Sequence, residues 1–219
     1  MNKNNTTFKQ YDDKLNLIEH YQKFPAMKPY IGNNYGKHHK KLILIGESHY
    51  LPKHSTIHLK AEEWYNASQE YLSPEEIEWI NTRKILESNW NSRGHFLFKE
   101  LERRMTEVLG NTKCRAMTNA IFINGFQRPS IEGESIKKIA KKIDYEKSID
   151  ILKNVIEIFE PEQVVFVTKF TWDNIGKKIS KPFKNDIAFD FVYHPAAYRY
   201  WYKYPNGIKK FKDIIKKIQ

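Results

Sequence analysis

Four runs of consecutive apolar residues punctuate an otherwise polar chain. They are 42–45 (LILI), Ala120–Asn124 (AIFIN), 164–168 (VVFVT) and 188–194 (AFDFVYH). Little polar alternates through them, and β-branched residues are frequent. The first three predict strands buried on both faces, as in a parallel sheet, and the last predicts a fourth strand. Between them the apolar spacing turns helical. Leu15, Leu17, Ile18, Tyr21 and Phe24 predict a short helix stopped by Pro25. KPYIGNNYGKHHKK follows and reads as a loop, and residues 60–71 are weakly helical. Ser73-Pro74-Glu75-Glu76 is an N-cap, a proline at the first helical position and acids in the first turn, opening a helix to about residue 89. Another helix is expected from about residue 94 to Leu109, ended by Gly110.

After the second strand, Gly125 and QRPS form a turn, and 135–142 holds a helical segment. Tyr145, Ile149, Leu152, Val155, Ile156 and Phe159 make a helical stripe that stops before Pro161. TWDNIGKKI predicts a short helix, and Ile208, Phe211, Ile214, Ile215 and Ile218 a terminal one. Strands alternating with helices imply an α/β fold. The expected form has three layers, α/β/α, around a central, mostly parallel four-stranded sheet. Nothing divides the chain, so residues 1–219 are expected to form one α/β domain, with 1–10 loosely attached.

The net charge of +11 and pI near 9.4 favour a polyanionic partner, DNA or RNA. A lysine-rich solvated surface would give the same balance. The single cysteine, Cys114, excludes an intrachain disulfide framework, a four-cysteine zinc site and a cysteine-bound iron–sulfur cluster. No cofactor is expected. The polar start, MNKNNTTFKQYDDK, does not resemble a signal peptide, and no apolar stretch is long enough to span a membrane. A cytoplasmic setting is therefore expected.

In parallel α/β sheets, functional residues gather beyond the carboxyl ends of the strands. The first strand ends in GESHY, the second in Asn124 and GFQRP, the third in Thr168 and Lys169, and the last in His194 and PAAYRYWYKYP. An apolar strand with Gly-x-x-x-Tyr, an Asn-ended strand, P-x-x-V-V-F-V before a helix, and His-Pro after a final strand occur here in that order. This order resembles the uracil-DNA glycosylase superfamily, whose members carry GQDPYH or GEAPG and a late HPS. The resemblance implies base-excision repair chemistry: a nucleotide flips into a pocket and its N-glycosidic bond is hydrolysed.

Carried over, the resemblance makes Glu47, Ser48 and His194 catalytic. Glu47 matches the Glu of GEAPG, and Ser48 stands where GQDPYH has its water-positioning Asp. His194 stabilises charge on the leaving base. Gly46, His49, Tyr50 and Asn124 would line the base pocket, with Asn124 reading the base edge. Asn119 is the rival base reader if the register differs. Ala196, Tyr198, Arg199, Trp201 and Lys203 would meet nucleic acid, Tyr198 as a wedge and Tyr198 or Trp201 stacking on a base. Ser48, His49 and Ala196 depart from the family's Asp, Pro and Ser.

Two alternatives accompany this reading. The chain could bind nucleic acid or a nucleotide without cutting it. It could also be a metal-dependent hydrolase using Glu47, His49, His54 and His58, although their spacing matches no metal motif. Local roles compete as well. Glu47 could cap a helix, and His49, Asn124 and His194 could bond only to their surroundings. The lysines at 209, 210, 212, 216 and 217 read as a solvated helix face.

Overall fold

The computed structural model describes residues 7–110, 114–204 and 206–219. Its strands are β1 (Tyr30–Ile31), β2 (Leu42–Gly46), β3 (Tyr50–Leu51), β4 (Ala120–Asn124), β5 (Ser130–Ile131), β6 (Gln163–Phe166) and β7 (Ala188–Phe191). Its α-helices are α1 (Asp12–Leu15), α2 (Glu19–Lys23), α3 (Ala61–Asn66), α4 (Pro74–Ile80), α5 (Thr82–Glu87), α6 (Phe96–Leu109), α7 (Lys142–Phe159), α8 (Lys169–Thr171), α9 (Lys177–Phe183) and α10 (Gly207–Lys216).

The central sheet has five strands in the order β1-β4-β2-β6-β7, and the four expected strands are its parallel part. The fifth, β1, pairs antiparallel with β4 through Tyr30 and Ile31. It lies inside the expected loop, where its partner strand rather than local pattern defines it.

Alternation through β2, β4 and β6 feeds two cores. Ile43, Ile45, Ile121, Ile123, Val164 and Phe166 pack towards α7 and α9. Leu42, Leu44, Phe122, Val165 and Val167 pack on the opposite face, with Phe211 and Ile214 of α10 and Leu101 and Met105 of α6. Both faces of each strand are thus dry, which is why the runs carry no polar alternation. The 18-residue α7 buries Ile151, Leu152, Val155, Ile156 and Phe159, and ends at Glu160 in a left-handed conformation just before Pro161.

Some expected elements differ: the helix expected over 15–24 is divided into α1, ending at Leu15, and α2, starting at Glu19. The helix foreseen from Ser73 to about residue 89 has its capping box, Ser73 with Glu76, but is split into α4 and α5. Asn81 leaves the helical conformation, and its side chain accepts from the Lys84 amide to cap α5. Residues 7–10 are tied down rather than loose: the Phe8 amide bonds to Ile31 O at 2.9 Å and the Thr7 amide to Glu87 Oε1 at 2.7 Å. Asp12 nearby pairs with Arg83 in a two-pronged bridge. Residues 1–6 lie outside the described residues.

One charged pair sits wholly inside. Arg128 and Asp144 have 0% exposed side chains. Arg128 Nε and Nη2 donate to the two Asp144 oxygens, both at 2.7 Å. The other guanidinium donors reach His58 O at 2.5 Å and Ile139 O at 2.7 Å. Asp144 also accepts from the Lys141 amide at 2.7 Å. Arg128→Met would strand a buried carboxylate. It is expected to cost about 3–5 kcal/mol in urea unfolding, whereas replacing both partners by apolar residues is expected to recover most of that loss.

Candidate functional site

β4 lies on one side of β2 and β6 on the other. The chain leaving β2 leads to β4 on one side and the chain leaving β6 leads to β7 on the other, so the crevice between the carboxyl ends of β2 and β6 is a switch point, where ligands bind in sheets of this kind. GESHY starts there. Beyond the sheet its backbone stays bonded to the continuation of β4. Gly125 N donates to Gly46 O, Phe126 N to Glu47 O and Ser130 N to His49 O. The small sheet of β3 and β5 then extends the pairing, Tyr50 opposite Ser130.

Two glycines allow this closeness. A Cβ on Gly46 would stand 2.4 Å from Asn124 Oδ1 and 2.8 Å from the Phe122 ring. A Cβ on Gly125 would stand 2.2 Å from the Thr171 methyl. The Asn124 side chain thus lies directly over the Cβ-less Gly46. Asn119, its rival, sits at the opposite, amino end of β4, buried and donating to Ala116 O at 3.0 Å. It cannot face a strand-end pocket.

Glu47 is half-buried at this edge. Ser135 donates to its Oε1 at 2.6 Å, and Thr168 donates to Oε2 at 3.5 Å. Thr168 is itself fixed as the cap of α8, accepting from the Thr171 amide at 3.1 Å. Glu47 therefore does not cap a helix. Its carboxylate is held between hydroxyls from two other segments. Burial, and secondarily the Glu47 charge, raise the Tyr50 phenol pKa. Tyr50 is 39% exposed.

The other members of GESHY face elsewhere. Ser48 is 8% exposed, with a buried Oγ that lacks a hydrogen-bond partner. Its hydroxyl is thus buried rather than open to the strand-end edge. His49 is also turned inward. Its Nε2 lies 3.0 Å from Thr82 Oγ1, and Thr82 donates onward to Met27 O, so His49 is the donor in its pair. It ties the segment after β2 to the start of α5. His54 lies 3.8 Å from Glu75, and His58 is fully buried. Among the described residues, no three His, Cys, Asp or Glu side chains converge as a metal site would require. Nor is any helix there long and apolar enough to cross a membrane.

His194 arrives from β7 at the same edge of the sheet. Its Nδ1 accepts the Ala196 amide at 3.1 Å. Burial pushes its pKa down to about 4. The ring is thus neutral at pH 7 and presents Nε2–H as a donor. Past it, residues 199–203 form a π-helical turn. Tyr198 is 63% exposed, and Arg199 and Lys203 are exposed with it. Trp201 is not available to a base: it is fully buried and donates to Glu100 Oε2 at 3.0 Å. In α10, Lys210, Lys212 and Lys216 are paired with Asp190, Glu107 and Asp213 around a buried Phe211-Ile214-Ile215 stripe.

The sequence reading missed Ser135, whose signal was only a serine opening a weak helix. No described protein family matches this chain, and no curated protein is significantly similar to it.

Four histidines set an acid limit. Burial lowers His20 from 6.5 to about 3, and His49, His58 and His194 from 6.5 to about 4. Above pH 6.5 neither the folded nor the unfolded chain protonates them, and their contribution is intact. As pH falls from 6.5 towards 4, the unfolded chain takes up protons that the folded one refuses. Stability should then fall by up to about 1.4 kcal/mol per pH unit for each histidine. Urea midpoints measured from pH 7 to 4.5 are expected to decline, and His49→Gln should flatten the decline.

Proposed function

We propose that this chain is a uracil-DNA glycosylase-like protein that binds nucleic acid and hydrolyses the N-glycosidic bond of a flipped, deaminated or modified base. The observation that carries the reading is the arrangement of Glu47. A carboxylate stands at the carboxyl end of β2 between two hydroxyl donors, next in sequence to a glycine covered by a strand-end asparagine. A neutral histidine is delivered to the same edge.

In this reading Asn124 pairs with the base edge through its amide. As the C1′–N bond breaks, its electron pair moves onto the base. The Nε2–H of His194 donates to the base oxygen where that charge gathers. Glu47 faces the cationic sugar and takes a proton from the water that adds to C1′. Tyr50 walls the pocket. Tyr198, Arg199 and Lys203 hold the strand.

Ser48 and Ala196 favour a second reading, a protein that binds nucleic acid without cutting it. The hydroxyl replacing the family's Asp is sealed away, and Ala196 offers no side-chain hydroxyl to a phosphate.

The separating experiment is an alkali-revealed strand-cleavage assay on oligonucleotides carrying uracil, hypoxanthine or xanthine. Glu47→Gln and His194→Ala should each slow excision by about 10²–10³-fold. Between pH 5.5 and 8 the rate should show no inflection from His194, which is neutral throughout that range. Unaltered rates in both variants would overturn the assignment. Absence of product together with steeply salt-dependent binding would leave the second reading.

A further inference from the structure

β7 is the outermost strand of the sheet. A ladder of four rings follows it towards the site. Trp172 stacks on Phe191, centroids 5.9 Å apart and planes 14° from parallel. Phe191 meets Tyr193 edge-on at 6.0 Å. Tyr193 stacks on Tyr200 at 4.6 Å and 17°. All four rings keep part of their surface in solvent, and Tyr200 is 42% exposed. The ladder's third ring, Tyr193, immediately precedes His194.

Cations accompany the rings. The Lys210 ammonium lies 4.1 Å from the Phe191 centroid. Lys203 lies 5.7 Å from the centroid of Tyr198, itself 5.0 Å from Tyr202. Beside β7 and α10 is a depression of ≈ 330 Å³ lined by Lys209, Lys210, Lys217 and Asn206, with Asp190, the partner of Lys210, and Asp213. Aromatic faces interleaved with ammonium groups match a chain that carries both flat bases and phosphates. In a duplex the base faces are stacked on one another and closed to such rings. Tyr198 also fits this use better than it fits a wedge: its ring leans on Tyr202 rather than projecting alone.

A sheet edge can instead recruit a protein strand. Here the Phe191 amide is already taken by the neighbouring Asp190 carboxylate, at 2.8 Å. That bond removes a donor which an added strand would need.

We infer that the edge of β7 is a track for single-stranded nucleic acid, leading along Trp172, Phe191, Tyr193 and Tyr200 to His194. The inference deepens the nucleic-acid reading above and rests on it. It makes single strands the substrate class, and it gives base stacking to rings outside the expected wedge segment.

The test is fluorescence anisotropy with an unmodified, fluorescein-labelled thymidine oligonucleotide of about 20 nucleotides, and with a duplex of the same length. Sedimentation velocity of the protein alone accompanies it. The single strand should bind at least about tenfold more tightly than the duplex. Tyr200→Ala should weaken single-strand binding roughly tenfold, and Tyr200→Trp should retain it. Lys209→Gln should lower the salt slope by about one. Equal binding of single strand and duplex, or parental binding by Tyr200→Ala, would overturn the track. Self-association abolished by Tyr200→Ala would also overturn it, marking the edge as a contact between copies. Ladder-dependent binding without excision of any base would sink the glycosylase chemistry and leave the track standing. Excision with ladder-independent binding would do the reverse.

Discussion

A guanidinium and a carboxylate with no solvent contact hold together the segments around the site. Taking Arg128 and Asp144 out of water costs several kcal/mol for each ion. Their mutual attraction offsets that cost only because the hydrogen bonds are so nearly complete. Arg128 reaches both oxygens of Asp144 and the carbonyls of His58 and Ile139, and Asp144 also takes the Lys141 amide. The pair therefore joins the turn after β4, the segment leading to α3 and the entry of α7. Ser135 lies in the stretch of chain between the two partners. Pinning both ends of that stretch brings its hydroxyl to Glu47, 88 positions away in sequence.

The rest of the site follows from the centre of the sheet. β2 is dry on both faces, so its first polar side chain emerges only past Gly46. Parallel neighbours on either side carry Asn124 and Thr168 to the same level. Two glycines let the strands' continuations approach to backbone hydrogen-bonding distance. The fold thus concentrates hydroxyl, amide and carboxylate groups at one edge and fixes them from several elements. Preorganisation of this kind is what an electrostatic catalyst needs. The same edge ends in a neutral histidine and an aromatic, basic turn.

Much of this was legible from apolar runs alone. Residues 42–45 and 120–124 admit little but buried strands, and their carboxyl ends then follow from the parallel topology. The capping box at Ser73 and the stop before Pro161 were also local signals. What escaped was defined by partners distant in sequence. Tyr30–Ile31 is a strand because β4 offers it an edge. Asn81 divides a helix because its side chain caps the next one. Trp201 sits in an aromatic, basic run that looks solvent-facing, yet Glu100 across the structure supplies its buried acceptor. Arg128 looked like one residue of a polar turn, and Asp144 16 positions later makes it core. Ser48 and His49 adjoin Glu47 in sequence, but the Ser48 hydroxyl is buried and His49 bonds to Thr82 of a distant helix.

The central claim is that the bond broken, if the edge is catalytic, is the one between base and sugar. The most direct measurement is mass spectrometry of small molecules released from heat-denatured, chemically deaminated DNA by the purified protein, with Glu47→Gln as the control. The account predicts free base in the filtrate, matched by abasic sites in the polymer and nearly absent with the variant. Release of nucleosides or nucleotides would mean that a different bond is cut. An unaltered polymer would contradict the glycosylase reading outright.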